Sequence, residues 1–320
     1  MPTELAGVPL VDVTRGERAE STHAVAACAC DDAGTVLLEQ GTIHVPVFLR
    51  SAAKPFIAAA AVRAGVVERF GLDAREVAVM AASHMGEPRH LETAASILMK
   101  IGATEADLQC GGAPSALHNN CSGKHAGILA LAKLRGVPFD GYLEAVHPVQ
   151  REILAFCERA FDDRFTAGRI ALDGCGIPVF ATTLLKAARA FARFATLRGF
   201  DDGDRRALST VREAMLADPW MVSGTGRLDT DLMLASAGTI VAKGGAEGVH
   251  ASALLATGTG LVLKTIDGAA RAVGPATLAL LGRLDALDAL ARERLAGHAR
   301  PPVRNVAGRI VGEIRARGPG

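Results

Sequence analysis

The stretch "FLRSAAKPFIAAAAVRAG", residues 48–65, holds a serine and a lysine three apart, Ser51 and Lys54, where a strand-like run gives way to an alanine-rich one. Residues three apart on a helix share a face, so a helix beginning near Ser51 brings the hydroxyl and the amine within hydrogen-bond reach. Pro55 fits only near a helix start, which places the pair in the first turn. Unpaired backbone N–H groups and the positive end of the helix dipole favour an oxyanion there. A serine hydroxyl is a weak nucleophile and needs an adjacent base. Lysine is that base only when neutral, which takes a fall of roughly three units from a reference pKa of about 10.4, or about 4–5 kcal/mol. Burial and a second positive charge supply shifts of that size, so a second lysine is expected in the site. The same pattern also has a plain structural reading, with Ser51 as a helix cap and Lys54 as a solvated amine.

Two further stretches bear on that choice. In "IVAKGGAEG", Lys243 precedes Gly244 and Gly245 at the end of an expected strand. A strand bearing K-x-G, used together with S-x-x-K, is the arrangement of serine β-lactamases and penicillin-binding proteins. Glycines let a substrate backbone lie against the strand, and the lysine sets a positive charge beside the nucleophile. In "MAASHMGE", Ser83 and His84 follow an apolar run and precede Gly86, at an element end where side chains can enter a cleft. The structural alternatives are an exposed lysine at a glycine turn and a satisfied surface histidine.

The elements that must position these residues follow from periodicity and punctuation. Near the N-terminus, "PLVDVTRG", "THAVAACACD" and "TVLLEQG" read as strands, with a turn at Asp32–Gly34. Cys28 and Cys30 alternate on one strand face and are expected to pack in the core. The middle reads as helical. "PFIAAAAVRAGVVERFG" ends at Gly71 as a C′ glycine, "DAREVAVMAAS" opens on Asp73 as an N-cap, and "HLETAASILMKIG", "KHAGILALAKLRG", "PVQREILAFCERAF", "ATTLLKAARAFARFA" and "DRRALSTVREAML" continue the pattern. "GTIVAKGG", "GVHASALLAT" and "GLVLKTIDG" return to β, with Asp267–Gly268 as a hairpin turn before "ARAV". One last helix is expected through "ATLALLGRLDALDALARERLAG", and the tail "ARGPG" is expected to fray. The fold class is therefore α/β of the α+β kind: an antiparallel sheet drawn from both chain ends, with a helical middle packed to one side and a cleft between the layers. No polar linker separates the regions, so a single unit over 1–320 is expected, with sheet over about 1–50 and 236–320 and helices over about 51–235.

Composition excludes several classes. Lys and Arg number 35 against 34 Asp and Glu, which leaves no electrostatic footprint for nucleic acid or an anionic membrane. Aromatic residues make up only 4%, too few for base-stacking platforms. No apolar run reaches the length of a membrane span. The start "MPTELAGVPLVDV" lacks a basic region followed by an apolar one, so no signal peptide is expected. Six dispersed cysteines read as reduced thiols in a cytoplasm.

The ordered set "RSAAKP", "AASHMGE", "CGGAP", "NNCSGKHAG", "HPVQ", "DGCGIP", "GTGRLDTDLM" and "VAKGGAEG" resembles the Rhizobium-etli-type L-asparaginases, a class separate from the threonine-dependent enzymes. The match runs from about residue 50 to about 260, and "NCSGKHAG" is its most specific piece. The resemblance implies a serine-β-lactamase-like fold, a homodimer and hydrolysis of L-asparagine to aspartate and ammonia. It implies two Ser–Lys couples, Ser51 with Lys54 and Ser83 with Lys243. It also implies a metal site, usually holding zinc, formed by Cys121, Lys124 and Cys175. By spacing alone those two cysteines read as buried thiols, although thiolates suit zinc.

The expected mechanism is an acyl-enzyme. Ser51, deprotonated by Lys54, attacks the side-chain carboxamide, ammonia leaves, and water hydrolyses the β-aspartyl ester. Ser83 and Lys243 complete a proton relay, and backbone N–H groups hold the oxyanion. Arg227 or Arg50 is the candidate for the substrate carboxylate, and Asn120 and Asp173 are candidates for its ammonium. His84 and Gly244 complete the expected substrate contacts, and Thr225 in "GTGR" marks a place where the pocket wall would vary. Zinc is expected to position substrate without performing the chemical step. Two rivals stand beside this reading: another serine amidohydrolase, such as a glutaminase or a β-lactamase-like enzyme, and a non-enzymatic metal or amino-acid binding module.

Overall fold

The computed structural model describes residues 4–318. In chain order the strands are β1 (Val8–Arg15), β2 (Arg18–Cys30), β3 (Val36–Gln40), β4 (Pro46–Phe48), β5 (Ile170–Leu172), β6 (Pro178–Thr183), β7 (Ile240–Gly245), β8 (Val249–Leu254), β9 (Thr259–Thr265), β10 (Pro302–Arg304) and β11 (Ile310–Ala316). The helices are α1 (Lys54–Ala64), α2 (Val66–Phe70), α3 (Ala74–Met80), α4 (Pro88–Ile101), α5 (Ser122–Arg135), α6 (Pro148–Phe161), α7 (Leu184–Thr196), α8 (Asp202–Ala217), α9 (Pro219–Ser223), α10 (Leu228–Ala235), α11 (Val273–Arg283), α12 (Ala289–Arg294) and α13 (Ala296–Ala299). They group into two compact units. One comprises the chain up to Val47, Thr183–Ala195 and the chain from Asp231 onward; the other comprises Phe48–Thr182 and Thr196–Thr230.

The first unit is an antiparallel sheet in the order β10-β11-β1-β2-β9-β8-β7, with β3 on the far end of β2. Strands from the start of the chain thus lie between strands from its end: β1 pairs β11, and β2 pairs β9 from Val25↔Thr265 to Cys30↔Gly260. The last six residues of β2 are all buried, so both faces of the sheet are covered there. Cys28 and Cys30 lie in that stretch. Helix α7 covers the sheet at Gly260, where a Cβ would collide with the Ala188 carbonyl, so only glycine permits the approach.

The second unit is helical. Helix α1 is buried along Lys54–Val62, and its run of alanines lets α5, α6 and α8 approach from several sides. Asp204 of α8, with its side chain 5% exposed, ties Arg63 of α1 to Arg159 of α6 at 3.2 and 3.0 Å. Phe56, Phe161, Phe180 and Phe165 form a chain of aromatic contacts with centroids 4.7, 5.3 and 4.1 Å apart. Asp73 caps α3 through a reciprocal box with Glu76, and Gly71 ends α2 in the left-handed conformation, with φ of 62°.

Four local expectations change. Ala181–Thr183 of "ATTLLKAARAFARFA" belong to β6, and the helix starts only at Leu184; the β-branched threonines pack in a strand paired with β5 inside the helical region. After the Asp267–Gly268 turn the chain enters a 3₁₀ turn, Ala270–Ala272, not a strand, because Asp267 Oδ1 accepts the Ala269 N–H and curls the backbone. The final helix is broken into α11, α12 and α13. Asp285 takes a positive φ of 49°, and Asp288 caps a new helix by accepting from Ala291 N. Beyond it, β10 and β11 add two strands to the sheet that the apolar pattern did not announce. Of the tail, Ala316 ends β11, and Pro319 and Gly320 lie outside the described residues.

Candidate active site

Ser51 and Lys54 stand where a 3₁₀ turn, Arg50–Ala53, runs into α1. In a 3₁₀ turn side chains three apart eclipse one another, so both project from one edge. The Lys54 backbone N–H donates to the Ser51 carbonyl. Arg50, immediately before, is held at a positive φ of 52°, a conformation costly for a side-chain-bearing residue. Its guanidinium binds Asp173 Oδ1 at 2.7 Å through Nε and again at 2.7 Å through a terminal nitrogen. A small recess lies here, lined by Arg50, Ser51, Lys54, Lys124, Asp173 and Phe180.

The Lys54 side chain is fully buried. Its Nζ meets Ala82 O at 2.5 Å, Ser83 Oγ at 2.9 Å and Asn120 O at 3.4 Å. No hydrogen bond joins it to Ser51 among the described residues; the serine it touches is Ser83. Burial drives its pKa below the ordinary lysine value and the Lys124 charge pushes the same way, while the neighbouring Cys121 and Cys175 oppose the shift. The neutral amine has two N–H groups and one lone pair. Two carbonyls and one hydroxyl around Nζ match that set, with Ser83 as the group able to donate to the lone pair.

Ser83 and His84 follow α3. Ser83 N donates to Val222 O at 2.9 Å, and His84 N to Asn120 O at 3.2 Å, so the segment is stitched on both sides. His84 is 2% exposed. Its Nδ1 accepts the Gly86 N–H at 3.1 Å, which leaves Nε2–H to donate to Ser122 Oγ at 3.0 Å. Ser122 passes its own proton to Leu117 O at 2.9 Å. Burial, reinforced by His90, holds the His84 pKa down to about 3, so the ring is neutral. Its face stacks on His90 with centroids 4.9 Å apart, His90 stacks on Trp220 at 4.1 Å, and the Arg89 guanidinium caps Trp220 at 4.6 Å.

Cys121, Lys124 and Cys175 converge although 51 residues separate the last two. Lys124 Nζ donates to Cys175 Sγ at 2.9 Å. Cys121 Sγ donates to Asn120 Oδ1 at 3.0 Å. Cys121 and Cys175 are each 5% exposed and Lys124 is 2% exposed. Burial works against the Lys124 charge, but Cys121, Cys175 and Asp173 outweigh it and raise its pKa. Two sulfurs and an amine form a three-donor set of the N/S kind that zinc takes, provided all three shed their protons. Among the described residues no three His, Cys, Asp or Glu side chains cluster in metal-binding fashion; here the third donor is a lysine. Asp173 is raised by burial, but the Gly174 N–H, Lys124 and Arg50 together hold it below the usual carboxylate value.

The remaining sequence candidates lie elsewhere or at the edge. Lys243 and Gly244 stand on β7 of the sheet unit, opposite Ala251 and His250; Lys243 is fully buried and donates to Gly244 O at 2.8 Å. Arg227 is exposed between α9 and α10, and the Asn120 side chain is exposed beside Cys121. Thr225 is pinned: Glu87 accepts from its N–H and its hydroxyl, both at 2.9 Å, and Trp220 Nε1 donates to it at 3.0 Å. Sequence reasoning missed His90, Trp220, Glu87, Asn119 and Ser122. Asn119 Oδ1 accepts the Cys121 N–H at 2.8 Å and its amide donates to Cys110 O at 2.9 Å. The one local signal was that Asn119 and Ser122 flank Cys121 inside "NNCSGK".

The L-asparaginase II family profile matches residues 11–316. The chain belongs to that family. Membership in the L-asparaginase II family makes it a hydrolase. No curated protein matches the chain. Among solved structures it is similar to a β-lactamase from Mycobacterium bovis, at 16% identity and a TM-score of 0.39, over 86% of this chain and 95% of that one. It is also similar to EstCE1, a hydrolase with promiscuous acyltransferase activity, at 10% identity and a TM-score of 0.40, over 86% and 93% of the two chains. No helix among the described residues of this L-asparaginase II family member is long and apolar enough to cross a membrane.

Proposed function

We propose that the protein hydrolyses L-asparagine to L-aspartate and ammonia through a serine acyl-enzyme. The observation that supports this best is the buried Lys54 amine, hydrogen-bonded to Ser83 at 2.9 Å and sharing one recess edge with Ser51. Lys54 acts as the base, Ser51 as the nucleophile and Ser83 as the shuttle. The Ser51 proton passes to Lys54, Ser51 Oγ attacks the carboxamide carbon, and Lys54 returns the proton through Ser83 to the departing ammonia. Water then attacks the ester, with the same groups taking its proton. Without metal, the charged Lys124 favours the neutral form of Lys54; a zinc ion held by a neutral Lys124 would supply that positive charge instead.

The recess supports an α-amino acid amide as the substrate class. Arg50 and Asp173 present a cation and an anion side by side, the complement of a zwitterion. His84 stays neutral and holds the Ser83 segment in place. Lys243, assigned to the second couple by the resemblance, is tested by Lys243→Ala. Cys121, Lys124 and Cys175 fit zinc, which supplies a positive charge that fixes the "NCSGK" loop without generating hydroxide, because a serine is the nucleophile. The working protein is a cytoplasmic homodimer, which light scattering tests as twice the 33.1 kDa chain mass.

The decisive experiment combines ammonia release with trapping. L-asparagine should be turned over faster than L-glutamine or a β-lactam, and quenched reactions should show a β-aspartyl adduct on Ser51 by peptide mass mapping. Ser51→Ala should lower kcat by about three orders of magnitude or more with the fold intact. An adduct on Ser83 instead would exchange the two serines' roles. Amino-acid or metal binding without any ammonia release would leave the non-enzymatic binding module as the answer.

A further inference from the structure

The C-terminal part of the sheet unit encloses a second hollow. Helix α11 ends at Arg283, the chain turns through Asp285, and α12 and α13 fold back beside β11. Between them lies a cavity of about 470 Å³, within the size range of small-molecule sites. Its walls are aliphatic: Leu278 of α11, Leu287 of the turn and Leu295 at the α12–α13 junction, with small residues between. No aromatic ring lines it, so it offers no platform for a base or a flat cofactor. Its only charged lining residues are Arg292, Arg300 and Arg315. Glu313 Oε1 accepts from Arg300 at 3.0 Å and from Arg315 at 2.8 Å, so one carboxylate serves two guanidinium groups. Arg292 has no carboxylate partner among the described residues.

We propose that this cavity binds a medium-chain fatty acid, with the carboxylate on Arg292 and the chain along the leucines. The guanidinium fork matches a carboxylate, and the single carboxylate of Glu313 leaves the three arginines with a surplus of positive charge. Aliphatic walls gain from every methylene they take out of water. A sugar or an amino acid would need side-chain acceptors, and arginine has none. The lining also contains the means to close the cavity. Gly282 lies in helical backbone on its wall, and a Cβ built there meets nothing within 4 Å. A larger side chain at that position enters open space, and it replaces a glycine that is itself a weak helix former.

This goes beyond the proposed reaction and shares no residue with it, so the two stand or fall separately. The test is calorimetric titration of the full chain with sodium hexanoate, octanoate and decanoate below their micelle concentrations, with octanol as the uncharged control. One molecule should bind per chain, and each added methylene should tighten binding by about three- to fourfold. Octanoate should bind about tenfold or more tighter than octanol, and Arg292→Ala should remove that advantage. Gly282→Leu should abolish binding while circular dichroism, melting temperature and ammonia release stay as in wild type. Should Gly282→Leu fold poorly, Arg292→Glu at the exposed mouth decides, since it turns attraction into repulsion and should abolish octanoate binding but spare octanol. Equal affinity for octanoate and octanol, or no saturable binding of any of the acids, would overturn the proposal. Unchanged binding in a folded Gly282→Leu would overturn it too, and a change in that variant's mass in solution would then assign the cavity to contact between copies.

Discussion

At the scale of single residues, the site turns on what surrounds one amine. Lys54 Nζ faces two carbonyls and a serine hydroxyl inside a buried helix junction. Desolvation disfavours its charged form, and the direction sets a pH profile. If the neutral amine is the base, the rate is lost as pH falls through the depressed pKa and recovers above it, so kcat/KM should rise with pH and level off below the ordinary lysine range. The midpoint belongs jointly to Lys54, Lys124 and the two thiols. Steady-state kinetics across pH check this, and a rate that stays flat from weakly acid to alkaline conditions would remove lysine as the base. Ser51 and Ser83 separate by neighbourhood rather than by type. Ser83 is already bonded to the amine, whereas Ser51 lines the recess beside the Arg50–Asp173 pair.

At the scale of elements, the site exists because α5 can press against the end of α3. A Cβ on Gly123 would collide with the Val79 carbonyl, and one on Gly127 would meet Met80 Cε at 2.8 Å. These glycines let the entry to α5 bring Asn120 O up to Lys54 Nζ, which also meets Ala82 O and Ser83 Oγ. Gly123→Ala forces backbone apart, so it should cost about 1–3 kcal/mol of stability and lower kcat by moving Asn120 O from Lys54. Denaturant melts and kinetics on the same variant check both; unchanged kcat in a destabilised protein would uncouple the helix contact from the chemistry. Of the proposed metal ligands, Cys121 stands just ahead of α5, Lys124 in its first turn and Cys175 between β5 and β6. Exhaustive chelation, followed by elemental analysis, should raise KM and change kcat much less. Loss of kcat that zinc alone restores would show the metal acting on the reacting atoms.

At the scale of the molecule, buried neutral histidines link stability to acid. His84 is held down to about 3, and His90 and His125 are lowered by burial as well, against 6.5 for an unfolded histidine. The unfolded chain then takes up protons that the folded chain does not. Stability is full above about 6.5 and is lost as pH falls toward 3, the window set by those two values. His84→Asn should flatten that loss in denaturant titrations run between neutral and acid pH. Parallel slopes for variant and wild type would show that His84 is not among the groups responsible.

Sequence alone determined the periodic parts. Alternation marked the strands at both ends, Asp73 and Gly71 marked a cap and a stop, and S-x-x-K, "NCSGKHAG" and "AKGG" marked the residues worth watching. These are local signals, read from side-chain spacing and backbone preference within one element. Pattern could not locate the β5–β6 hairpin or strands β10 and β11: β5 and β10 have three residues each, too short for a period to emerge, and neither β6, buried along nearly its whole length, nor β11, mostly half-buried, alternates cleanly. Nor could it show which serine Lys54 touches, 29 residues away, or that Lys124 meets Cys175 across 51 residues. It also could not supply the His84–His90–Trp220 stack. Only the tertiary structure decided these, because such distances depend on how closely helix backbones approach. That approach is set by glycines, buried alanines and one shared carboxylate acting together, and no window of sequence contains them all.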